Sequence, residues 1–362
     1  MPDTILSPTT ALSPTTALET VTGPQAWYGR DVAGLSDWAI TLTADDVAEI
    51  EAALAGAKDT PILEITAANF PVPGLAGRLA AIKHELLRGR GFFMVRGLPI
   101  ERYSVEDAAR IFWGIGAQWG EAVSQNGKGH VLGHVKDLGL DYADPQARGY
   151  QTSARLPYHT DSSDIVGLLC LKKSKAGGLS SIASTTTIFN EMVKRRPDLA
   201  EVLMQPVYRT RWGEVPEGRK PYYGTAPFTV VDGRVICTYV RSAVRKAQLM
   251  DVVPRITPEQ EEAMDLFDSL ANDPALHLDM TFEPGDMQFV CNHSIAHSRT
   301  AYEDYQELDK RRHLLRLWLA CEDGPKLPAA FTGEHQGQTA SGRPDGIKVP
   351  GVPLVAPLRA ED

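Results

Sequence analysis

The stretch LPYHTDSSD at residues 156–164 sets His159 and Asp161 two positions apart, just before the apolar run IVGLLCL. In an extended chain successive side chains alternate faces, so an imidazole and a carboxylate at this spacing point the same way. Asp and Ser are also turn residues, and a plain turn is the simpler reading. Read as chemistry, the pair is two ligands of one metal ion, which demands a third ligand elsewhere in the chain. Downstream, NHSIAHSR offers His293 and His297, and residue type alone does not choose between them. Two imidazoles and one carboxylate on one face of Fe(II) leave three positions open, room for oxygen and a bidentate co-substrate.

A second pattern lies in RRHLLRLWLA, residues 311–320. If this is a strand, Arg312, Leu314, Arg316 and Trp318 share one face, Leu315, Leu317 and Leu319 share the other, and Arg311 faces away from Arg312. An arginine within an apolar strand is costly unless an anion pairs with it, and a guanidinium fork suits a carboxylate. The competing reading pairs these arginines with acids of the protein on a solvated edge strand. Weaker candidates for contacts to a bound small molecule are Gln125 and Asn126 in SQNGKGH, His134, and Tyr239 and Arg241 in TYVRS; for each, a structural role is the simpler reading.

The elements that must position these groups come in two blocks. TADDVAEIEAALAG carries a Thr N-cap, acids in its first turn, and Val47, Ile50 and Leu54 at helical spacing. LAGRLAAIKHELLRGRG repeats the pattern, FFMVRGLP reads as a strand, and SVEDAARIFWGIG reads as another capped helix. From residue 150 onward the signal is mainly β, interrupted by helices at TTIFNEMVKRR and at TPEQEEAMDLFDSL, where Thr257 is the cap and Pro258 the first helical residue. LDMTFE alternates Leu278, Met280 and Phe282 with polar residues, as a strand with one buried face does. There is no GxGxxG or Walker sequence and no doubly wound alternation. The pattern predicts an α+β fold: helices in front, then a sheet-on-sheet core of jelly-roll type.

The bulk numbers agree with one domain and a small-molecule partner. The chain has 362 residues, 43% of them hydrophobic, and a net charge of −9 from 37 basic and 46 acidic residues, which argues against a nucleic-acid or anionic-membrane surface. No segment is long and apolar enough to span a bilayer. Four scattered cysteines without a CxxC pair point to buried free thiols in a reducing, cytoplasmic setting. The repeat LSPTTALSPTTAL, with no Lys or Arg before Arg30, predicts a flexible Pro/Thr-rich arm over 1–25. The domain is expected over 26–325 and a Pro/Gly-rich tail, covering the site or wrapping the surface, over 326–362. A homo-oligomer is compatible with all of this.

Taken in order, the motifs resemble one family. HTD at 159–161, GGLS at 177–180, PGDMQFVCNHSIAHSR at 284–299 and RRHLLR at 311–316 span about half of the chain in the order found in TauD/TfdA-like Fe(II)/2-oxoglutarate dioxygenases. HxD alone is weak; the ordered set is specific. The resemblance implies a double-stranded β-helix (cupin-like jelly roll) flanked by helices, with Fe(II), 2-oxoglutarate and O2 as its chemical partners. It implies His159, Asp161 and His297 as metal ligands, because members carry an Asn five residues before the distal His, as Asn292 stands here, and leaves His293 at a turn, either exposed or supporting the ligands from behind. It assigns Arg312 to the distal carboxylate of 2-oxoglutarate and Arg316 to the same site, touching co-substrate or substrate. Ser180 stands where the family has a Thr, and neighbouring Ser181 leaves that register open by one. The segment between His297 and Arg312 is longer than in taurine dioxygenase. Related halogenases lack the carboxylate ligand, so Asp161 implies hydroxylation of a C–H bond, or another oxidation, of a small acidic molecule. A zinc hydrolase can share the His/Asp/His set, and a non-catalytic acid-binding barrel is the structural alternative; neither accounts for both the ligands and the arginines.

Overall fold

The computed structural model describes residues 18–140, 149–215, 218–331 and 338–360. Two β-sheets form the centre. The larger runs in the order Ala39–Thr41, Phe92–Arg96, Met287–Cys291, Ile165–Lys172, His313–Ala320, Glu121–Ala122, with Leu132–Val135 also paired to His313–Ala320. The smaller runs His277–Met280, Ser180–Ser184, Ile295–Arg299, Leu156–His159.

Alternation along the strands builds three apolar layers. Leu315, Leu317 and Leu319 face outward with Ile165, Leu169 and Phe289, against the helices Ala44–Gly56, Pro73–Arg88 and Val105–Gly116. Leu314 and Trp318 face inward and meet Ile182, Leu278, Met280 and Ile295 of the smaller sheet. Beyond that sheet, Tyr158, Ala183 and Ala296 pack on the helices Thr185–Arg195 and Pro258–Ala271. Period-two burial on both faces is what a sandwich covered by helices requires. The helix starts lie where their caps predict: Thr43 with Asp46 and Thr257 with Gln260 form capping boxes, and Ser104 caps Val105–Gly116.

Three expectations change. Residues 1–17 of the expected arm lie outside the described residues, but 18–25 are docked: Leu18 and Val21 pack on the outer core, and Val21 exchanges two hydrogen bonds with Asn190. Arg312 precedes the strand, which starts at His313 and carries a register shift between His313 and Leu314. The helices Pro197–Leu203 and Arg241–Ala247, and the hairpins of Val207–Thr210 with Tyr222–Thr225 and of Phe228–Val231 with Arg234–Cys237, lack a strong local signal and are additions to the expected pattern.

Candidate active site

The metal-competent cluster arises from strand register. His297 pairs directly across the ladder with His159, so their rings project side by side with centroids 4.3 Å apart. Asp161 lies two residues beyond its strand. Its position is set by Asn292, whose Oδ1 accepts the Asp161 backbone N–H at 2.6 Å and whose Nδ2 donates to the carbonyls of Asp161 and of Ser163. The Asp161 carboxylate thereby stands 3.8 Å from His159 Nε2 and 3.7 Å from His297 Nε2. One ligand atom from each of the three residues falls within 4.8 Å of the others.

Protonation suits a cation. His159 donates from Nδ1 to the carbonyl of Pro157 at 2.9 Å, which leaves the Nε2 lone pair toward the cluster. Burial, reinforced by His159, lowers the His297 pKa to about 3, so this imidazole is neutral at pH 7. Burial opposes ionisation of Asp161, yet Arg316, the two histidines and the Trp318 indole N–H hold its carboxyl below the ordinary value. Trp318 Nε1 donates to Asp161 Oδ2 at 2.9 Å, and Arg316 Nη1 stands 3.4 Å from the same oxygen.

These groups open into a cavity of about 570 Å³. His159, Asp161, His297, Ser180, Arg299, Arg312 and Arg316 line one end; Arg211, Trp212, Tyr223, Ile347 and Lys348 are among the residues lining the rest. Arg312 is only 4% exposed, forms no ion pair among the described residues, and its Nη1 has no hydrogen-bond partner. Its guanidinium lies 5.1 Å from the centre of the Tyr302 ring, and Arg299 lies 4.7 Å from the same ring. A buried cation with an unused donor calls for an anion. Arg316 is better satisfied: Nε donates to Gln125 Oε1 at 2.8 Å, and the guanidinium stacks on Tyr150. Gly177 and Gly178 hold φ of 73° and 72°, and a Cβ on Gly178 would come within 3.2 Å of Arg312 Nε, so glycine here leaves room for the guanidinium.

The two serines separate. Ser180 lines the cavity and donates to Gln288 Oε1 at 2.9 Å, whereas Ser181 bonds the Tyr158 hydroxyl at 2.5 Å. His293 is buried, not exposed, and its Nε2 bonds Asp164 Oδ1 at 2.7 Å. Arg311 is turned aside, donating to the Tyr305 carbonyl.

The weaker candidates fare differently. Gln125 acts through Arg316. Asn126 is not among the cavity-lining residues; its Oδ1 accepts the backbone N–H of Lys128 at 3.0 Å and closes a local turn. His134 points away from the cavity, because Val135 takes the inward face; it bonds His313 at 2.7 Å and the Pro357 carbonyl at 2.8 Å. Tyr239 is a core residue stacked on Phe267, with its hydroxyl on Asp268. Arg241 lines the cavity, but its guanidinium is spent on Glu261, Asp265 and Asp268. Trp318, Tyr150 and Arg299 also line the cavity without having been expected contacts; Trp318 shares the strand face of Arg316, and Arg299 follows His297 in the HSR of the family frame.

A jelly-roll sandwich carrying a His/Asp/His cluster beside buried arginines defines an iron oxygenase type of site. The model of the taurine catabolism dioxygenase TauD, TfdA family matches residues 58–318. The chain is 32% identical to FR-33289 synthase of Streptomyces rubellomurinus over 90% of its own length and 97% of the relative's. It is 31% identical to a taurine hydroxylase-like protein of Stachybotrys chartarum, over 81% and 77%. Among solved structures, asparagine oxygenase in complex with Fe(II), hydroxyasparagine and succinate shares the fold at a TM-score of 0.59 and 16% identity, covering 78% of this chain and 93% of that one. The chain belongs to the TauD, TfdA family. It is an enzyme of the Fe(II)/2-oxoglutarate-dependent dioxygenase class that family comprises.

Proposed function

We propose that His159, Asp161 and His297 hold Fe(II), that Arg312 and Ser180 bind the distal carboxylate of 2-oxoglutarate, and that the enzyme hydroxylates a C–H bond of a small acidic molecule. The observation that carries this reading is the buried, unpartnered Nη1 of Arg312 in the cavity that also contains the three metal-competent side chains. Both parts fit the groups the class requires: three neutral or anionic donors for the cation, and one uncompensated guanidinium for the dianion.

When bound, Fe(II) supplies the activation of O2 that converts 2-oxoglutarate to succinate and CO2 while the substrate is oxidised. The chain's residues do the rest. Pro157 and Asn292 orient His159 and Asp161, Trp318 and Arg316 keep the Asp161 carboxylate ionised, and Arg312 fixes one end of the co-substrate. Arg316, packed on the rings of Tyr150 and Trp318 and 3.4 Å from Asp161 Oδ2, lines the cavity, where it reaches co-substrate or substrate. A carboxylate at position 161 occupies the place a halide would need, which supports hydroxylation. Four buried free thiols support a reducing, cytoplasmic setting, and among the described residues no helix is long and apolar enough to cross a membrane.

The test is anaerobic titration of the Fe(II)-loaded protein with 2-oxoglutarate, then succinate release in air across a panel of small carboxylates, sulfonates and phosphates. Saturable 2-oxoglutarate binding and acid-stimulated succinate are expected. An iron-loaded protein that binds no 2-oxoglutarate ends this reading of the site residues.

A further inference from the structure

The family model stops at residue 318, yet chain beyond it returns to the cavity. Arg343 is buried and aims its fork at Asp164: Nε donates to Oδ2 at 2.9 Å, Nη2 donates to Oδ1, and Nη1 reaches the Pro325 carbonyl at 2.8 Å. Asp164 is fully buried, three residues past Asp161. Besides Arg343 it accepts from His293 Nε2 at 2.7 Å and from the Cys321 backbone N–H at 2.8 Å. Its own backbone is tied to Leu319 and Asn292, and Asn292 in turn clamps Asp161. His293, which metal binding leaves over, is thus part of the grip on Asp164.

Immediately after Arg343 the chain supplies cavity wall. Asp345, Gly346, Ile347 and Lys348 line it, Gly346 bridges Ser124, and Ile347 donates its N–H to the Ser124 carbonyl at 2.8 Å. Further along, Val355 bridges His130 and donates to the Gly129 carbonyl at 2.9 Å. One ion pair therefore joins the metal-bearing loop to the segment that bounds the substrate space.

We propose that residues 343–350 form a specificity-determining wall of the substrate cavity, and that Arg343, acting through Asp164, is the positioning residue that couples this wall to the metal loop. The proposal rests on the oxygenase reading. Removing the fork leaves a buried carboxylate short of its charge partner, so the loop at 160–164 and the wall both relax.

Two measurements on the full chain test this. All four native cysteines are buried, so Ile347→Cys adds one thiol that 5,5′-dithiobis(2-nitrobenzoate) can report. Labelling is expected to be slow with Arg343 present, at least about tenfold faster with Arg343→Ala, and intermediate with Arg343→Lys, which keeps charge but not the fork. In the protein without the added cysteine, Arg343→Ala is expected to weaken Fe(II) binding about tenfold or more, as loss of a supporting group does. An unchanged labelling rate overturns the wall, and a lowered melting temperature with unchanged Fe(II) affinity overturns the coupling. If Arg343→Ala fails to fold, Arg343→Lys and Arg343→Gln are read on the same two scales. A wild type that binds neither Fe(II) nor 2-oxoglutarate overturns the oxygenase reading instead, and the labelling ratio still decides whether Arg343 holds the wall.

Discussion

The two ends of the cavity are built by different means. At the end with the metal-competent cluster most side chains come from paired strands: His159 and His297 face each other across one ladder, and Arg316 and Trp318 share one face of a central strand. At the far end the lining comes from the hairpin around Arg211 to Tyr223, the start of the helix Arg241–Ala247, and the segment after Arg343. Strands buried on both faces tolerate little movement, whereas loops accept insertion and sequence change at small cost in loop entropy. A common reaction on a rigid base and a variable substrate on adaptable walls is the division this construction permits.

The largest effect expected at the rigid end is metal loss. Alanine at His159, Asp161 or His297 should abolish Fe(II) retention and succinate formation while far-UV circular dichroism stays native, because the sandwich core does not depend on them. His293→Ala should keep most of the iron, because the Arg343 fork still holds Asp164, and should lower the melting temperature, since it removes a buried partner of Asp164. The reverse pattern would move the metal site to His293. Next comes Arg312→Ala, expected to weaken 2-oxoglutarate binding by roughly ten- to over a hundredfold, the worth of a charge-assisted pair of about 1.5–3 kcal/mol. Arg312→Lys should restore only part of it. Titration calorimetry under argon reads both.

A smaller loss is expected for Trp318→Phe, which keeps the ring but removes the N–H to Asp161. A hydrogen bond to an ionised carboxylate is worth about 1.5–3 kcal/mol, but Arg316 remains beside Asp161, so Fe(II) affinity should fall by about tenfold, the lower end of that range. At the adaptable end, Trp212→Ala should leave Fe(II) and 2-oxoglutarate affinities unchanged and shift KM for whichever acid stimulates succinate release. Equal damage to 2-oxoglutarate binding would erase the distinction between the two ends.

A last effect, on stability and not on binding, concerns pH. Burial, then His134 and two lysines, lowers the His313 pKa to about 3 from an ordinary 6.5. The unfolded chain therefore takes up a proton that the folded chain refuses. Stability from this residue is complete above about pH 6.5 and declines as the pH falls toward 3. His313→Gln should flatten that part of the melting-temperature profile.

The rigid end is also the legible one. Alternation along 314–318 placed Arg316 with Trp318, although Arg312 lies before the strand, and cap chemistry located the main helices, because both signals are local. The choice of His297 over His293 needed the family frame, since both residues are polar, near one strand end and separated by one turn. For His134 and Tyr239 the structural reading is the one that fits: in the strand Leu132–Val135 the inward position belongs to Val135, and the Tyr239 hydroxyl meets Asp268 on the helix Pro258–Ala271. That the tail covers the site was one of two expectations for 326–362; the contact that anchors it was not legible. Its anchor lies 179 positions away at Asp164, and nothing in either neighbourhood marks the pair.

The cross-strand pairing of His159 with His297 has a consequence for folding. A slip of one residue between those strands would send the two imidazoles to opposite faces, so only the correctly registered sheet presents both to one ion. A cation that binds this register and no other draws the population toward it, raising the melting temperature with each increment of free metal. Such a cation would act as a proofreading clasp on the sheet that carries it.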